Sequence, residues 1–255
     1  MMEGVLYMEF QGVSARNQGQ DAALKILNNH KPYTFLTGPA GTGKTLLTGA
    51  VGLEKVVNHP KDRFKKVIYT RLQVQTGANL GYIPGDFAGK TDPFVEPFKD
   101  NFQEMEYTLP LDHLQSGTKN KKLEFVPIQT MRGRTIPNAF IIIDEAQNLD
   151  MDTITTLATR LGQESKMIFL SNFAQIDDET HHLKDPTNNG LYQMLSRLYS
   201  NQGGHKYFDH VHLTDIERSD AAAFIEKIMR TDRVHPTFLK LEDRGIPTIS
   251  KKSVV

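Results

Sequence analysis

The residues from Gly38 to Thr45 have the types and the spacing needed to hold a phosphate group. They read Gly38-Pro39-Ala40-Gly41-Thr42-Gly43-Lys44-Thr45 and match the pattern G-x-x-x-x-G-K-[ST] at every fixed position. The glycines let backbone N–H groups curl inward around an anion, because no side chain obstructs them. Lys44 adds a positive charge for the β- and γ-phosphates, and the hydroxyl of Thr45 is suited to bind Mg²⁺. The stretch therefore predicts a nucleotide site.

A second group of candidates lies further along the chain, where two carboxylates follow a continuous apolar run. The run is 139–143, and Asp144 and Glu145 come directly after it. Such a run is typical of a central parallel strand that is buried on both faces, and ligands bind at the carboxyl ends of these strands. We expect Asp144 to hold Mg²⁺ and Glu145 to polarise the water that attacks the γ-phosphate. A base placed for water favours hydrolysis over phosphoryl transfer to another substrate.

Strands and helices must bring these two groups together, and the hydrophobic pattern predicts both kinds of element. Strands are expected at 33–37, 66–71, 139–143, 166–170 and 210–213. Helices are expected at 17–27, 46–57, 153–161, 191–199 and 221–229. This alternation predicts an α/β fold with a parallel sheet that helices cover on both faces. We expect one domain over 1–232, with an irregular insertion at about 79–123 after the second strand, and a loosely docked tail over 233–255.

Three further polar side chains are candidates for contacts with a nucleotide. Asn172 and Gln175 follow the predicted strand 166–170, where a polar group can sense whether the γ-phosphate is present. Gln20 lies near the start of the helix 17–27, shortly before the glycine-rich loop. Its amide can both accept from and donate to the edge of an adenine. A solvated glutamine is the alternative interpretation, and the residues alone leave both open.

Nucleotide hydrolases often complete their site with an arginine that stabilises transition-state charge, and a neighbouring subunit can supply it. The candidates here are Arg71, Arg132, Arg134 and Arg218, and each of them also suits an ordinary surface charge. The chain is too short for a second nucleotide-hydrolase core. Either it hydrolyses slowly alone, or a neighbouring copy completes its site through a contact that closes into a ring.

The composition restricts the classes of protein to which the chain can belong. Its 255 residues carry a formal net charge of zero, so any contact with nucleic acid would depend on local patches. The basic run 117–122 is one such patch, with a solvated loop as the alternative. The chain has no cysteine, which excludes disulfides, thiolate metal sites and thiol catalysis. We expect no signal peptide and no membrane span.

Several motifs occur together in one order along the chain. After the glycine-rich loop come LGYIPGD at 80–86, MRGRT at 131–135, and DEAQN at 144–148. Further matches are TRLG at 159–162, Gln175 and the segment 213–219. On these residues the sequence, from about Gln20 to Met229, resembles the PhoH family of phosphate-starvation-inducible ATPases. The core of that family is similar to a superfamily 1 helicase domain.

The resemblance implies a RecA-like P-loop NTPase with a three-layer α/β/α core. It implies ATP and Mg²⁺ as cofactors. The implied location is the cytoplasm, either of a bacterial cell or of the host of a phage. The resemblance also implies a homo-oligomeric ring, expected to be a hexamer, that acts on single-stranded RNA or DNA. Gln20 would be the glutamine that reads adenine. The family typically has Gly-Asp where this chain has Ser171-Asn172, and Arg-Pro where it has Arg71-Leu72. An asparagine still senses phosphate but carries no charge, which affects how hydrolysis is coupled to partner binding.

Two functional hypotheses follow, and they belong to different classes. The first is an oligomeric ATPase that remodels RNA, with Tyr82 and Phe87 of the insertion stacking on bases. Core packing is the alternative role of these two aromatics. The second hypothesis is a nucleotide-gated binding protein that hydrolyses ATP slowly and unwinds nothing. The intact Asp144-Glu145 pair favours the enzyme, whereas zero net charge and Asn172 favour the binding protein.

Two substitutions separate nucleotide binding from turnover. We expect Lys44→Ala to weaken ATP binding at least about tenfold, because a hydrogen bond to a charged group contributes about 1.5–3 kcal/mol. Glu145→Gln should keep ATP binding but lower turnover by about a hundredfold or more, since it removes the general base. Titration with a fluorescent nucleotide analogue measures binding, and phosphate release measures turnover. Normal hydrolysis by the Glu145 variant would contradict its assignment as the base.

Overall fold

The computed structural model describes residues 8–59, 61–72, 98–105, 110–116, 121–131, 133–230 and 234–247. An antiparallel hairpin of β1 (Glu9–Phe10) and β2 (Val13–Ser14) comes first along the chain. A six-stranded sheet follows, and each pair of neighbouring strands in it is parallel. Its strands are β3 (Tyr33–Thr37), β4 (Lys66–Arg71), β5 (Leu123–Phe125), β6 (Ala139–Asp144), β7 (Lys166–Ser171) and β8 (Phe208–His212).

The strand order is β5-β4-β6-β7-β3-β8, so β7 lies between β3 and β6. The glycine-rich loop follows β3, and the two carboxylates lie at the end of β6. Because all of these strands are parallel, their carboxyl ends meet at one edge of the sheet. This strand order, with the glycine-rich loop after β3 and the carboxylates at the end of β6, is that of a RecA-like P-loop NTPase. The predicted fold class is confirmed.

Helices connect the strands and cover both faces of the sheet. The longer helices are Gln18–Asn28, Lys44–Val57, Met151–Ala158, Gly190–Ser200, Asp220–Arg230 and Pro236–Asp243. Short helices occupy Leu111–Gln115 and Ile128–Met131, and residues 98–103 are also helical. Within the part of the chain that the structure describes, no helix has the length and apolar character needed to cross a membrane.

Successive residues of the buried strands contribute to different cores. In β6, Phe140 and Ile142 belong to the apolar cluster on the side of helices Gln18–Asn28 and Lys44–Val57. Ile141 and Ile143 belong to the cluster on the opposite face. Side chains alternate along a strand, so a strand with a core on each side must be apolar throughout. The unbroken apolar run in the sequence is therefore explained by the three layers.

The predicted insertion ends in the sheet. Strand β5 pairs with β4 and extends the sheet beyond the predicted strands. Phe98 is fully buried, and its ring lies 5.0 Å from that of Tyr69 and 5.5 Å from that of Phe125. The end of the predicted insertion thus packs on the core. Tyr82 and Phe87 lie outside the described residues, as do Arg132 and 117–120 of the basic run.

The segment after residue 233 differs from the loosely docked tail expected from the sequence. Pro236–Asp243 is a helix, and its Phe238 and Leu241 are 1% and 3% exposed. The ring of Phe238 stacks on that of Phe173 at 4.4 Å. The helix is too short to show a clear period, but its two apolar residues fill one core of the sheet. The domain boundary near residue 232 stays a prediction.

A buried lysine connects the amino end of β7 to the end of the first long helix. Lys166 is fully buried, and its Nζ donates to the carbonyl oxygens of Ile26, Asn29 and Lys31 at 2.8, 3.2 and 3.0 Å. Burial lowers the pKa of Lys166 to about 7. The side chain therefore satisfies carbonyl groups at a helix end that lack a partner within the helix.

The lowered pKa of Lys166 predicts a pH-dependent contribution to stability. The unfolded chain binds this proton below about pH 10.4, whereas the folded chain releases it above about pH 7, so the free energy of unfolding rises with pH between these values. Urea denaturation should therefore show the advantage of the wild type over Lys166→Met growing by up to about 1.4 kcal/mol per pH unit in this window. Lys25→Met, which removes an exposed lysine, is the control. An advantage that stays constant with pH would contradict the assignment.

Candidate nucleotide site

The loop after β3 has a backbone conformation that requires glycine. Gly38, Gly41 and Gly43 have φ values of 143°, 80° and 87°. A Cβ atom at Gly38 would lie 2.3 Å from the carbonyl oxygen of Leu213, the residue after β8. The loop can lie this close to Leu213 only because Gly38 has no side chain. The glycines of the motif are thus explained by conformation and by close packing.

Lys44 is the first residue of the helix Lys44–Val57, directly after the left-handed Gly43. Its Nζ donates to the carbonyl oxygens of Gly38 and Pro39, both at 2.7 Å. The ammonium group therefore lies at the loop itself. The N–H groups of the first helical turn add the positive end of the helix dipole, and the two effects together favour an anion.

Asp144 joins the carboxylate strand to the phosphate loop. Its Oδ2 accepts hydrogen bonds from Thr45 Oγ1 at 3.2 Å and from the hydroxyl of Tyr69 at 2.8 Å. Its Oδ1 accepts from the backbone N–H of Glu145 at 2.9 Å. Burial, with the charge of Asp144 beside it, raises the pKa of Tyr69, so the phenol stays a hydrogen-bond donor. The two groups predicted from the sequence are therefore in direct contact.

The oxygens of Thr45 and Asp144 suit a magnesium ion. A hydroxyl and a carboxylate are the hard ligands that Mg²⁺ takes, together with waters and the phosphates of a nucleotide. Thr45 Oγ1 and Asp144 Oδ2 are 3.2 Å apart, so both can contribute to one ion. These two side chains would hold the metal, as the sequence predicts.

Glu145 is held beside Asp144 in a strained conformation. Its φ of 53° is in the left-handed region, which costs an ordinary residue about 1–3 kcal/mol. Arg71 Nη2 lies 3.7 Å from Glu145 Oε1. Burial, and next the charge of Asp144, raise the pKa of Glu145, while Arg71 acts in the opposite direction. The carboxylate is thus a stronger base than an exposed glutamate.

Gln147 connects Glu145 to the tip of β7. Its Nε2 donates to Glu145 Oε2 and to the carbonyl oxygen of Gln175, the latter at 3.0 Å. Its Oε1 accepts from the backbone N–H of Asn172 at 3.1 Å. The side chain is fully buried. Gln147 therefore fixes the position of the predicted base relative to the predicted phosphate sensors.

Asn172 has a free donor at this site. Its Oδ1 accepts from the backbone N–H of Ala174 at 3.1 Å, but no described residue accepts a hydrogen bond from its buried Nδ2. A buried donor without an acceptor costs free energy unless a ligand supplies one. A phosphate oxygen would satisfy Nδ2, which fits the sensing role expected of Asn172.

A cavity of about 560 Å³ brings most of the candidate residues together. The predicted residues that line it are Gln20, Ala40, Gly41, Gly43, Lys44, Thr45, Asp144, Glu145, Asn172, Gln175 and Arg218. Arg71 also lines it, whereas Gly38, Pro39 and Thr42 do not. Thr42 is fully buried, and its hydroxyl donates to the carbonyl oxygen of Pro39 at 3.0 Å, so these residues shape the loop from within.

Gln20 connects the segment after the amino-terminal hairpin to the phosphate loop. Its Nε2 donates to the carbonyl oxygen of Thr42 at 3.2 Å, and its Oε1 accepts from the backbone N–H of Arg16 at 2.8 Å. The residue is 4% exposed, which excludes a solvated glutamine. Gly12, Val13 and Arg16 line the same cavity. An amide has a second donor and a second acceptor position, and these remain for a base.

Some of the described candidate arginines line the cavity and another does not. Arg71 and Arg218 line the cavity, and the side chain of Arg218 lies so close to Gly41 that a Cβ there would be 2.7 Å from its Cδ. Burial lowers the pKa of Arg71, but the carboxylates of Glu145 and Asp144 outweigh it and raise the pKa, so Arg71 keeps its charge. Arg134 is exposed, precedes β6 and does not line the cavity. No described contact makes Arg134 part of this site.

The functions of Tyr69, Gln147 and the hairpin are not evident from the sequence. Tyr69 is one of several apolar residues in a buried strand, and nothing in its local sequence marks it as the donor to Asp144. Gln147 lies within the DEAQN motif, so the motif itself was the available signal. The hairpin is too short for its alternation to be recognised.

The parallel sheet, the loop at the tip of β3 and the carboxylates at the tip of β6 define a P-loop NTPase fold. The family described as PhoH-like protein matches residues 12–230 of this sequence. The chain therefore belongs to the PhoH family, as its motifs indicated.

Individual relatives are similar over part of their length. The chain is 39% identical to a PhoH-like protein of Bacillus subtilis over 66% of this chain and 50% of that protein. It is 32% identical to Protein PhoH2 of Mycolicibacterium smegmatis over 87% of this chain and 48% of that protein. The chain thus spans about half the length of these curated relatives. A solved structure of the large terminase from a thermophilic bacteriophage is similar with a TM-score of 0.48 and 14% identity, over 83% of this chain and 48% of the terminase.

The contacts of Gln147 predict a change in the pH dependence of ATP hydrolysis. Its hydrogen bond lowers the pKa of Glu145, so Gln147→Leu should raise that pKa further. A base is active only when deprotonated, so the fall in kcat on acidification should begin at a higher pH in this variant. Misplacement of the base should also lower kcat at neutral pH, by up to about a hundredfold. A pH profile of kcat measures both effects.

Gln193→Leu provides the matched control for this experiment, because among the described residues the side chain of Gln193 bonds to the carbonyl oxygen of Pro186 and the side chain of Arg197, both away from the cavity. Its profile should equal that of the wild type. An unshifted acid limb in the Gln147 variant would show that Gln147 does not act on Glu145.

Proposed function

We propose that this protein is a Mg²⁺-dependent ATPase that couples hydrolysis to the remodelling of RNA or of single-stranded DNA. It works as a homo-oligomeric ring, expected to be a hexamer, in the cytoplasm. One observation carries the catalytic part of the proposal. Thr45 of the phosphate loop bonds to Asp144, and the adjacent Glu145 has a raised pKa and lines the same cavity.

Each residue of the site has a distinct role in this proposal. Lys44 and the N–H groups of the loop bind the β- and γ-phosphates. Thr45 and Asp144 would hold a magnesium ion, which would supply positive charge beside the phosphates. Glu145 orients the attacking water and accepts its proton. Asn172 donates to the γ-phosphate through Nδ2, the donor for which no described residue is an acceptor.

Two arginines of the same chain support hydrolysis without a neighbouring copy. Arg71 and Arg218 line the cavity, and a positive charge there stabilises the charge that develops on the transferred phosphoryl group. The ring is therefore proposed from the resemblance to the family and not from a need for an arginine in trans.

Adenine is the base that Gln20 is proposed to read. The residue is buried between the hairpin and the loop, and it has one amide donor and one acceptor position beyond those used within the protein. ATP is thus the proposed nucleotide.

Binding of nucleic acid is supported by the family and by local charge. The formal net charge is zero, so the contact must be local. Lys121, in the described part of the basic run, is exposed, which suits a contact with a phosphate backbone.

A nucleotide-gated binding protein with slow hydrolysis is the second candidate. The observation that favours it is Asn172, which is neutral where the family typically has an acidic residue at the strand tip. In this alternative, ATP binding changes the assembly state or the partner, and hydrolysis only resets the protein.

Steady-state hydrolysis with and without single-stranded RNA, at several protein concentrations, decides between the two candidates. We expect RNA to stimulate turnover several-fold, and the stimulation to grow with protein concentration, because the assembled ring is the form proposed to act on RNA. Glu145→Gln is the control that corrects for contaminating ATPases. A low rate that neither RNA nor concentration changes would favour the nucleotide-gated binding protein. RNA binding without salt dependence would also contradict the remodelling role, since phosphate contacts release counterions.

A further inference from the structure

The helix Asp220–Arg230 exposes a row of large apolar side chains. Phe224, Ile225, Ile228 and Met229 are 62%, 54%, 47% and 47% exposed. Phe224 and Ile228 are four residues apart, as are Ile225 and Met229, so these four side chains share one face of the helix. We call this face the ridge. Contiguous apolar surface of this kind is typical of an interaction site.

One hydrogen bond joins the opposite side of this helix to the phosphate loop. Glu226 is half-buried, and its Oε1 accepts from the backbone N–H of Ala40 at 3.4 Å. Among the described residues, the two apolar clusters that cover the sheet contain none from this helix. The ridge is thus apolar surface that the described fold leaves in solvent.

An apolar groove lies elsewhere on the chain, between helices Met151–Ala158 and Gly190–Ser200. Its cavity measures about 480 Å³ and is open to solvent. The apolar residues that line it are Met151, Ile154, Ala158, Met194, Leu198 and Tyr207. Tyr207 is 57% exposed at its edge. A groove between two helices accepts a third helix that presents side chains at i and i+4.

The charges of the two surfaces are complementary. Arg197 is the charged residue in the groove lining, and it is exposed. Asp220 is four residues before Phe224, so it lies in line with Phe224 and Ile228 at one end of the ridge. When the ridge binds in the groove, the carboxylate of Asp220 can therefore lie beside the guanidinium of Arg197. The apolar residues of the ridge then fill the groove and displace water.

We propose that the ridge of one copy docks into the groove of a second copy of this chain. The two surfaces differ, so the contact is heterologous, and each docked copy keeps a ridge or a groove for the next copy. Repetition of the contact gives a closed ring or a filament. The inference deepens the homo-oligomer of the proposed function, but it rests on these two surfaces and not on hydrolysis.

Variants of exposed residues test the contact without disturbing the core. Phe224→Ser with Ile228→Ser removes the ridge, and Thr155→Arg places a bulky charge in the groove, where Thr155 is exposed. Sedimentation velocity over a range of concentrations should show assembly of the wild type and loss of assembly in both variants. Leu239→Ser with Ile246→Ser is the control, because it removes two large apolar residues that are 40% and 45% exposed on other surfaces. Circular dichroism confirms that each variant is folded.

Mixing the two defective chains gives the sharpest outcome. The Thr155→Arg chain keeps its ridge, and the ridge variant keeps its groove, so an equal mixture should form a heterodimer and nothing larger. The masses of the assemblies are measured without nucleotide, so they do not depend on hydrolysis. A failure of the ATPase proposal would therefore appear in the hydrolysis assay and not in these masses.

Three results would overturn the proposal. The first is a wild-type chain that stays monomeric throughout, and the second is a ridge variant that assembles like the wild type. The third is a monomeric chain that floats with anionic phospholipid vesicles only when the ridge is intact, which would assign the ridge to a membrane surface.

Discussion

The parallel alignment of all six strands is the constraint on which the site depends. It places the carboxyl ends of β3, β7 and β6 side by side, with β7 in the middle. The phosphate loop, the β7 end with Ser171, Asn172 and Gln175, and the pair Asp144-Glu145 therefore surround one cavity, although they are far apart in sequence. Cores on both faces of the sheet hold the strands in register, because each buried strand contributes side chains to both. Any slip of β6 by one residue would exchange these two sets of side chains and move Asp144 away from Thr45.

The site concentrates charged side chains around one cavity, and the surrounding hydrogen bonds hold them in place. Asp144 accepts from Thr45, Tyr69 and the backbone of Glu145, so its oxygens are held in place. Glu145 lies beside it and is a stronger base because of burial and of its like-charged neighbour. Lys44 and Arg71 supply the positive charge. This combination of opposed charges around one cavity is suited to a highly charged ligand such as a nucleoside triphosphate.

The helix Asp220–Arg230 connects the nucleotide site to the exposed ridge. It contacts the phosphate loop through Glu226 and leaves the ridge in solvent. A partner that binds the ridge would therefore hold a helix that also touches the nucleotide site. Such an arrangement allows assembly and nucleotide binding to influence each other, and by thermodynamic linkage the influence is reciprocal.

The sequence by itself determined the phosphate loop, the carboxylate pair, the order of strands along the chain and the fold class. These features depend on residue type and short spacing, which are properties of the linear chain. Only the tertiary structure decided that Tyr69 bonds to Asp144, that Gln147 holds Glu145, and that Arg71 and Arg218, but not Arg134, line the cavity. It also added β5 and made 236–243 a docked helix where a loose tail was expected. The physical reason is that these contacts join residues from different elements, so they depend on strand order and packing, which local patterns do not specify.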